Sequence, residues 1–345
     1  MMLDTKSLLL EFSSKTGVSG REDEAVHYAA GLLSPFGKTV ITALGSVVCT
    51  VKEPRPDGPH LLLDAHIDEV GMIVTCVDEK GFLRVSNCGG VDRRILAAAP
   101  IRVHTVDGAL PGVVCSTPPH LSTGDKKNPK VDEIYIDIGY SREEAEKRVF
   151  PGDRVTIDTP ARNLLGGIVS GKALDDRAGC VTHLKALEYL GDRSLDCGLS
   201  VVFSSMEEVG GMGAKTAAYA FAPTHAIAVD VSFARTPDAD KEKCGEMGKG
   251  PMIGIAPILN RHMSDSFIRL ARDNHIPYQL EVMGGRTGTN ADSIVTSHYG
   301  VVTGLLSIPQ KYMHTPIETV LADDVDNTAK LIAAYIAAFR DLEVQ

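Results

Sequence analysis

Five short polar clusters in this 345-residue chain carry the side chains best suited to chemistry. They are Asp64-Ala65-His66-Ile67-Asp68, Leu174-Asp175-Asp176, Met206-Glu207-Glu208-Val209-Gly210, Val229-Asp230-Val231 and Met313-His314-Thr315-Pro316. Each places a His, Asp or Glu directly beyond an apolar run, where the strands of open α/β sheets end and build their sites. Taken singly, most have an ordinary structural reading. His66 can be a satisfied core histidine, one of Asp175 and Asp176 can cap a helix, and Glu207-Glu208 can be a solvated turn. Asp230 resists that reading. It sits inside the apolar run 226–231, and a buried carboxylate without compensation is costly, so a cation is the simplest answer.

Together the clusters supply two imidazoles and at least three carboxylates, more donors than one tetrahedral ion uses. A pair of divalent ions sharing one carboxylate is the natural count. Nitrogen and oxygen donors without cysteine suit zinc, cobalt or manganese and do not choose among them. Asp68, two residues beyond His66, is placed to hold the other imidazole nitrogen and fix the tautomer.

The elements that must position these groups alternate along the chain. Leu8, Leu9 and Phe12 recur at helical spacing before Gly17-Val18-Ser19-Gly20 breaks the helix. Ser19 followed by Glu22 has the form of a capping box, which predicts a second helix over residues 21–33. Residues 39–51 and 60–67 predict strands, and the almost continuous apolar run in 60–66 fits a strand buried on both faces. After residue 166 the pattern predicts helices at 177–190, 213–219 and 264–274 and strands at 199–204, 225–231 and 301–308, an α/β order. A packing helix over residues 324–339 follows from Val325, Thr328, Ile332, Ile336 and Phe339 on one face. Between 70 and 165 the texture changes to short strand-like runs with Gly, Pro and Asp turns, with a helix only at 142–148 and a polar, turn-rich loop at 118–130. Residues 1–69 and 166–345 are therefore expected to form the catalytic domain, interrupted by a small β-rich domain over 70–165.

Composition narrows the function further. A hydrophobic content of 43% supports a large core. The formal charge of −10 argues against nucleic acid or an anionic membrane as partner, since either needs a basic face. Seven scattered cysteines without a C-x-x-C pair fit reduced thiols and a cytoplasmic location. Asp4, Lys6 and Glu11 interrupt the first twelve residues, unlike a signal peptide, and no apolar window approaches the ~18 residues of a membrane span.

The chain resembles the M42 metallo-aminopeptidases, the TET-type branch of the co-catalytic zinc peptidases. The likeness is carried by Val18-Ser19-Gly20-Arg21-Glu22-Asp23-Glu24, the Asp64–Gly71 block, Gly171-Lys172-Ala173-Leu174-Asp175-Asp176-Arg177, Glu207-Glu208-Val209-Gly210 and Tyr312-Met313-His314-Thr315-Pro316-Ile317-Glu318. The resemblance implies a three-layer α/β/α zinc-peptidase-like domain with a PDZ-like or barrel-like insert that drives homo-oligomerisation, commonly to a dodecamer. It implies that His66 and Asp230 hold one ion, Glu208 and His314 the other, and that Asp175 bridges them, with Asp176 the second choice. Asp68 would orient His66, Glu207 would be the general base, and a water activated by the ions would attack the first peptide bond of a short peptide. Coordination lowers the pKa of a water from about 15.7 toward ~7, and a free carboxylate beside a ligand can take its proton. The segment 283–292 resembles the family's Gly-rich strand and turn beside the substrate pocket, but Asn290 stands where relatives usually carry Asp, and Lys311 where Arg is common. Arg286 in that segment reads as a solvated turn charge, with pairing to an acidic substrate side chain as the other reading. A related amidohydrolase, either a deacylase or a carboxypeptidase, is the nearest rival; a glycoside hydrolase using two carboxylates without metal is the next. A binding or assembly protein that keeps ions for stability is the third.

Overall fold

A computed structural model of the chain describes residues 4–121 and 128–340. Of the loop expected at 118–130, residues 122–127 lie outside the described residues. Helices α1 (Thr5–Ser14) and α2 (Asp23–Leu33) lead into strands β1 (Lys38–Ile41), β2 (Val47–Lys52) and β3 (His60–His66). Next come β4 (Gly71–Val77), β5 (Leu83–Cys88), β6 (Pro100–Thr105), β7 (Gly108–Val114), β8 (Ile136–Asp137), α3 (Arg142–Arg148) and β9 (Arg154–Ile157). The chain returns through β10 (Arg162–Asn163), β11 (Ile168–Gly171), α4 (Leu174–Leu190), β12 (Gly198–Ser204), α5 (Met212–Phe221) and β13 (His225–Phe233). It finishes with β14 (Met252–Ile255), α6 (Arg261–Asp273), β15 (Gln279–Val282), α7 (Ala291–Ile294), β16 (Val302–Lys311), β17 (Glu318–Leu321) and α8 (Ala322–Ala337).

The main sheet runs β1-β2-β12-β3-β13-β16-β17-β11-β10, with β14 and β15 attached beside β16. Its centre, β12-β3-β13-β16, is parallel, and every residue of β3 and β12 is buried. The apolar runs have this character because helices cover both faces. Side chains alternate across a strand. Leu61 and Leu63 therefore join the core with Phe12, Val181 and Ile332 of α1, α4 and α8, while Leu62 packs with Ala214 and Ile294 of α5 and α7. This is the expected three-layer arrangement.

The β-rich part is a closed six-stranded barrel in the order β4-β5-β8-β7-β6-β9, filled by Met72, Val74, Leu83, Val85, Ile101, Val103 and Val155. Closure leaves no free sheet edge. β4 follows directly on the His66–Asp68 segment, and the chain leaves β9 on its way to Asp175, so the barrel sits between two parts of the candidate site.

Arg177 ties the domain together beneath that site. Fully buried, it donates to the carbonyls of Ile67 (3.1 Å), Phe12 (2.6 Å) and Lys15, and lies 3.5 Å from Glu69. Lys172 also pairs with Glu69 at 2.7 Å. The guanidinium's planar array of donors satisfies three carbonyls and a carboxylate at once, a match that lysine does not offer.

The expected capping box does not form. Ser19 donates to Asp68 at 2.6 Å instead, while Glu22 accepts from the N–H groups of Gly20 (2.8 Å) and Met206 (3.2 Å). Helix α2 accordingly begins at Asp23 and has no side-chain cap. Buried carboxylates need partners more than an exposed helix end does.

Candidate metal centre

The parallel strands end at one edge of the sheet. His66 closes β3, Glu207 and Glu208 follow β12, Asp230 lies near the end of β13, and His314 follows β16. Asp175 joins them from the start of α4, where Asp175 and Asp176 both depart from helical geometry (φ −81°, ψ 105° and φ −115°, ψ 42°). Left-handed backbone recurs at Ala173 (φ 57°), Met206 (φ 55°) and His314 (φ 62°). Such strain at non-glycine residues persists where surrounding structure over-determines it, and it gathers at functional sites.

Two groups of donors result, His66 with Asp175 and Asp230, and Asp175 with Glu208 and His314; within each, the donor atoms lie within 4.8 Å of one another. Nε2 of His66 is 3.0 Å from Oδ1 of Asp175 and 3.9 Å from Asp230. Nε2 of His314 is 3.4 Å from Oδ2 of Asp175 and 3.4 Å from Glu208. Asp175 thus turns one oxygen to each group. Asp176 points away, accepting the Gly179 N–H at 3.0 Å as the cap of α4.

The supporting shell is equally defined. Oδ1 of Asp68 is 3.4 Å from Nδ1 of His66, and its two oxygens also accept the N–H groups of Glu207 (2.9 Å) and Glu208 (3.2 Å). Nδ1 of His314 donates to the carbonyl of Gly90 at 3.0 Å, a contact supplied by the segment after β5. Both imidazoles therefore present Nε2 to the centre. Glu318, wholly buried, accepts the N–H of Asp175 (3.0 Å) and of His314 (2.9 Å), linking the backbones of two donors. The roles of Ser19, Gly90 and Glu318 escape sequence reasoning. The one available signal was the acid four residues beyond His314.

Electrostatics show how strongly the arrangement calls for cations. Burial, reinforced by Asp175, pushes Glu208 up to about 9, and burial drives Asp230 well above the usual carboxylate range. Asp175 is the exception: against its burial, His314 and His66 hold it at about 2. Burial also raises Glu207, with His66 opposing and Asp68 adding to the effect. The Glu207 carboxylate makes no hydrogen bond or ion pair among the described residues. Crowded, desolvated acids of this kind resist ionisation until positive charge arrives, and two groups of imidazole and carboxylate donors sharing one acid fit a pair of divalent ions.

The departure at Asn290 has a local explanation. Asn290 is buried and donates to Asp64 (2.9 Å) and Ser204 (2.8 Å). A second acid there would face the buried Asp64 carboxyl, which burial already pushes up to about 7.

The pattern of the M42 glutamyl aminopeptidase family matches residues 45–331. The chain is 34% identical to the lysyl aminopeptidase of Pyrococcus furiosus, over 97% of this chain and 98% of that protein. Among solved structures it is similar to aminopeptidase APDkam598 from the archaeon Desulfurococcus kamchatkensis (TM-score 0.90, 35% identity, covering 96% of this chain and 94% of that one). It is also similar to the TET1 peptidase of Pyrococcus horikoshii (TM-score 0.85, 32% identity, 96% and 99% coverage), which can assemble into a tetrahedron or a large octahedral shell. All donor residues of both groups fall inside the matched span. The protein belongs to the M42 glutamyl aminopeptidase family, whose members are hydrolases acting on peptide bonds.

Proposed function

We propose that the protein removes the first residue of short peptides at a centre where His66, Asp175 and Asp230 hold one divalent ion and Asp175, Glu208 and His314 hold a second. The observation that carries this reading is the division of Asp175, with one oxygen 3.0 Å from His66 and the other 3.4 Å from His314. When bound, the ions would activate a water and polarise the scissile carbonyl. Glu207, unpaired and raised above the usual carboxylate range by burial, takes the proton of the attacking water and passes it to the leaving amine. Asp68 keeps His66 and the Glu207 backbone aligned throughout. The surplus of carboxylates around the centre favours a free, positively charged substrate amine, which an internal peptide bond lacks. Zinc is the first choice of ion, with cobalt or manganese as alternatives. We further propose that residues 70–165, containing the barrel, form the contacts of a homo-oligomer, and that the protein works in the cytoplasm.

The test is Glu207→Gln in ion-loaded protein. Turnover of aminoacyl-anilides should fall by roughly 10²–10⁴ while ion content and melting temperature stay near wild type. Retained turnover would remove Glu207 from its role. Cleavage of N-acetylated in preference to free-amino substrates would favour a deacylase, and full activity after exhaustive chelation would favour a glycoside hydrolase.

A further inference from the structure

We infer that Glu281 sets the substrate preference at this centre, selecting peptides whose first residue is lysine or arginine. The inference rests on the aminopeptidase reading above and concerns the side chain that reading leaves undefined.

Glu281 stands on β15, and both of its carboxylate oxygens are held. Oε1 accepts the hydroxyl of Ser232, and Oε2 accepts that of Ser307 at 2.7 Å. These two serines locate the carboxylate relative to the ions. Ser232 lies two residues beyond Asp230 on the same strand, and Ser307 is the register partner of Asp230 on β16. Alternate residues share a strand face, so Asp230, Ser232 and Ser307 present their side chains to the same side. A two-residue step along a strand is roughly 7 Å, which puts the Glu281 carboxylate about that far from the donor Asp230.

Strand β14 runs between β15 and β16, yet Glu281 reaches across it. The residue paired with Glu281 on β14 is Gly254, which offers no side chain to block the path. A methyl group there would lie 3.0 Å from both Leu259 and Leu305, so the strand is packed too closely for a larger residue. The turn after β15 is open, with no atom within 4 Å of an added methyl group at Gly284 or Gly285.

Glu281 is half-buried and forms no ion pair with Lys, Arg or His among the described residues. Two neutral hydroxyls aim its oxygens without cancelling their charge. In the inferred pose, a first residue whose amine and carbonyl lie at the ions sends its side chain along the sheet face, toward β14 and β15. The four-carbon stem of lysine spans roughly 6 Å, enough to bring its ammonium to Glu281, and arginine reaches at least as far. Arg286, the opposite charge nearby, is exposed in the turn and has no hydrogen bond or ion pair among the described residues. The carboxylate is built into the sheet, whereas the guanidinium is not.

The experiment compares kcat and KM for Lys-, Arg-, Leu- and Glu-p-nitroanilides on ion-loaded full-length protein, wild type and Glu281→Gln. Wild type should favour Lys and Arg over Leu and Glu by on the order of tenfold or more in kcat/KM. Glu281→Gln should lower kcat/KM on Lys and Arg at least about tenfold more than on Leu, chiefly through KM. Glutamine can keep both serine contacts, its oxygen accepting one hydroxyl and its NH2 donating to the oxygen of the other, so a role confined to holding β15 in place predicts equal, small losses on all four substrates and would overturn the inference. A wild-type preference for Glu or Leu would overturn it too, the former transferring selection to Arg286. Failure to cleave any of the four anilides would instead overturn the aminopeptidase reading, and the inference with it.

Discussion

Asp68 joins the ring of His66 to the backbone of Glu207. Its Oδ1 lies 3.4 Å from Nδ1 of His66 and accepts the Glu207 N–H at 2.9 Å, while Oδ2 takes the hydroxyl of Ser19 at 2.6 Å. Against complete burial, His66 and these donors hold the carboxyl below the usual range, so it is charged. One acid therefore aligns a proposed ion ligand and the proposed general base together.

Asp68→Asn tests that coupling. The amide keeps the shape but loses the charge that favours the correct His66 tautomer, and its N–H₂ faces donors at one of its two positions. Ion affinity at the His66 group should weaken by about 10–100-fold, and kcat should fall even at saturating ion, because Glu207 has lost its anchor. Ion titration followed by assays in excess ion separates the two effects; a loss fully restored by excess ion would confine Asp68 to His66.

Gly90→Ala probes the support for the other group. Gly90 is not in the left-handed region, so the added methyl group is the whole perturbation, and it would sit 2.7 Å from Nδ1 of His314. Displacing the imidazole should lower ion stoichiometry from about two per chain toward about one and reduce turnover by roughly 10–100-fold. Elemental analysis of the purified variant measures the stoichiometry. An unaltered ion count would show that the barrel-side segment does not hold His314 in place.

Ion loading should release protons. In the ion-free protein Glu208 is pushed up to about 9 and Asp230 lies well above its usual range, both by burial first, and His314 is raised by Asp175. Ions require the deprotonated donors. The free form thus binds more protons than the loaded form, and apparent affinity should fall as pH falls. Calorimetric titration at pH 7 in buffers of different ionisation enthalpy should give buffer-dependent heats; identical heats would contradict the electrostatic account.

His183 gives a pH dependence of stability away from the ions. It is fully buried, and its Nε2 donates to the carbonyl of Asp64 at 3.0 Å. Burial lowers its pKa to about 4, against an ordinary value of 6.5. The unfolded chain therefore takes up the proton first: this contribution is complete above pH 6.5 and is lost as pH falls toward 4. Linkage puts the loss between pH 7 and 5 at about 2 kcal/mol. Denaturant unfolding of ion-free wild type and His183→Gln at both pH values should show wild type losing that much more. Parallel behaviour of the two proteins would mean that His183 is already protonated or not buried in solution.

The sequence by itself determined the kind of chemistry and the kind of sheet. Apolar runs ending in His66, Glu207-Glu208 and Asp230 are legible because burial on two faces demands uninterrupted apolar residues, and a polar group at the end of such a run stands out. Donor types and their order along the chain need no coordinates. Tertiary structure alone decided between Asp175 and Asp176, since two adjacent carboxylates look alike until their backbone angles send one to the imidazoles and the other to the Gly179 N–H. It also decided that Ser19 serves Asp68 instead of α2, that Gly90 and Glu318 position His314, and that Asn290 answers Asp64. Each of these pairings links residues that folding alone makes neighbours or competes with a local alternative, and buried polar groups choose the partner that leaves the fewest of them unsatisfied.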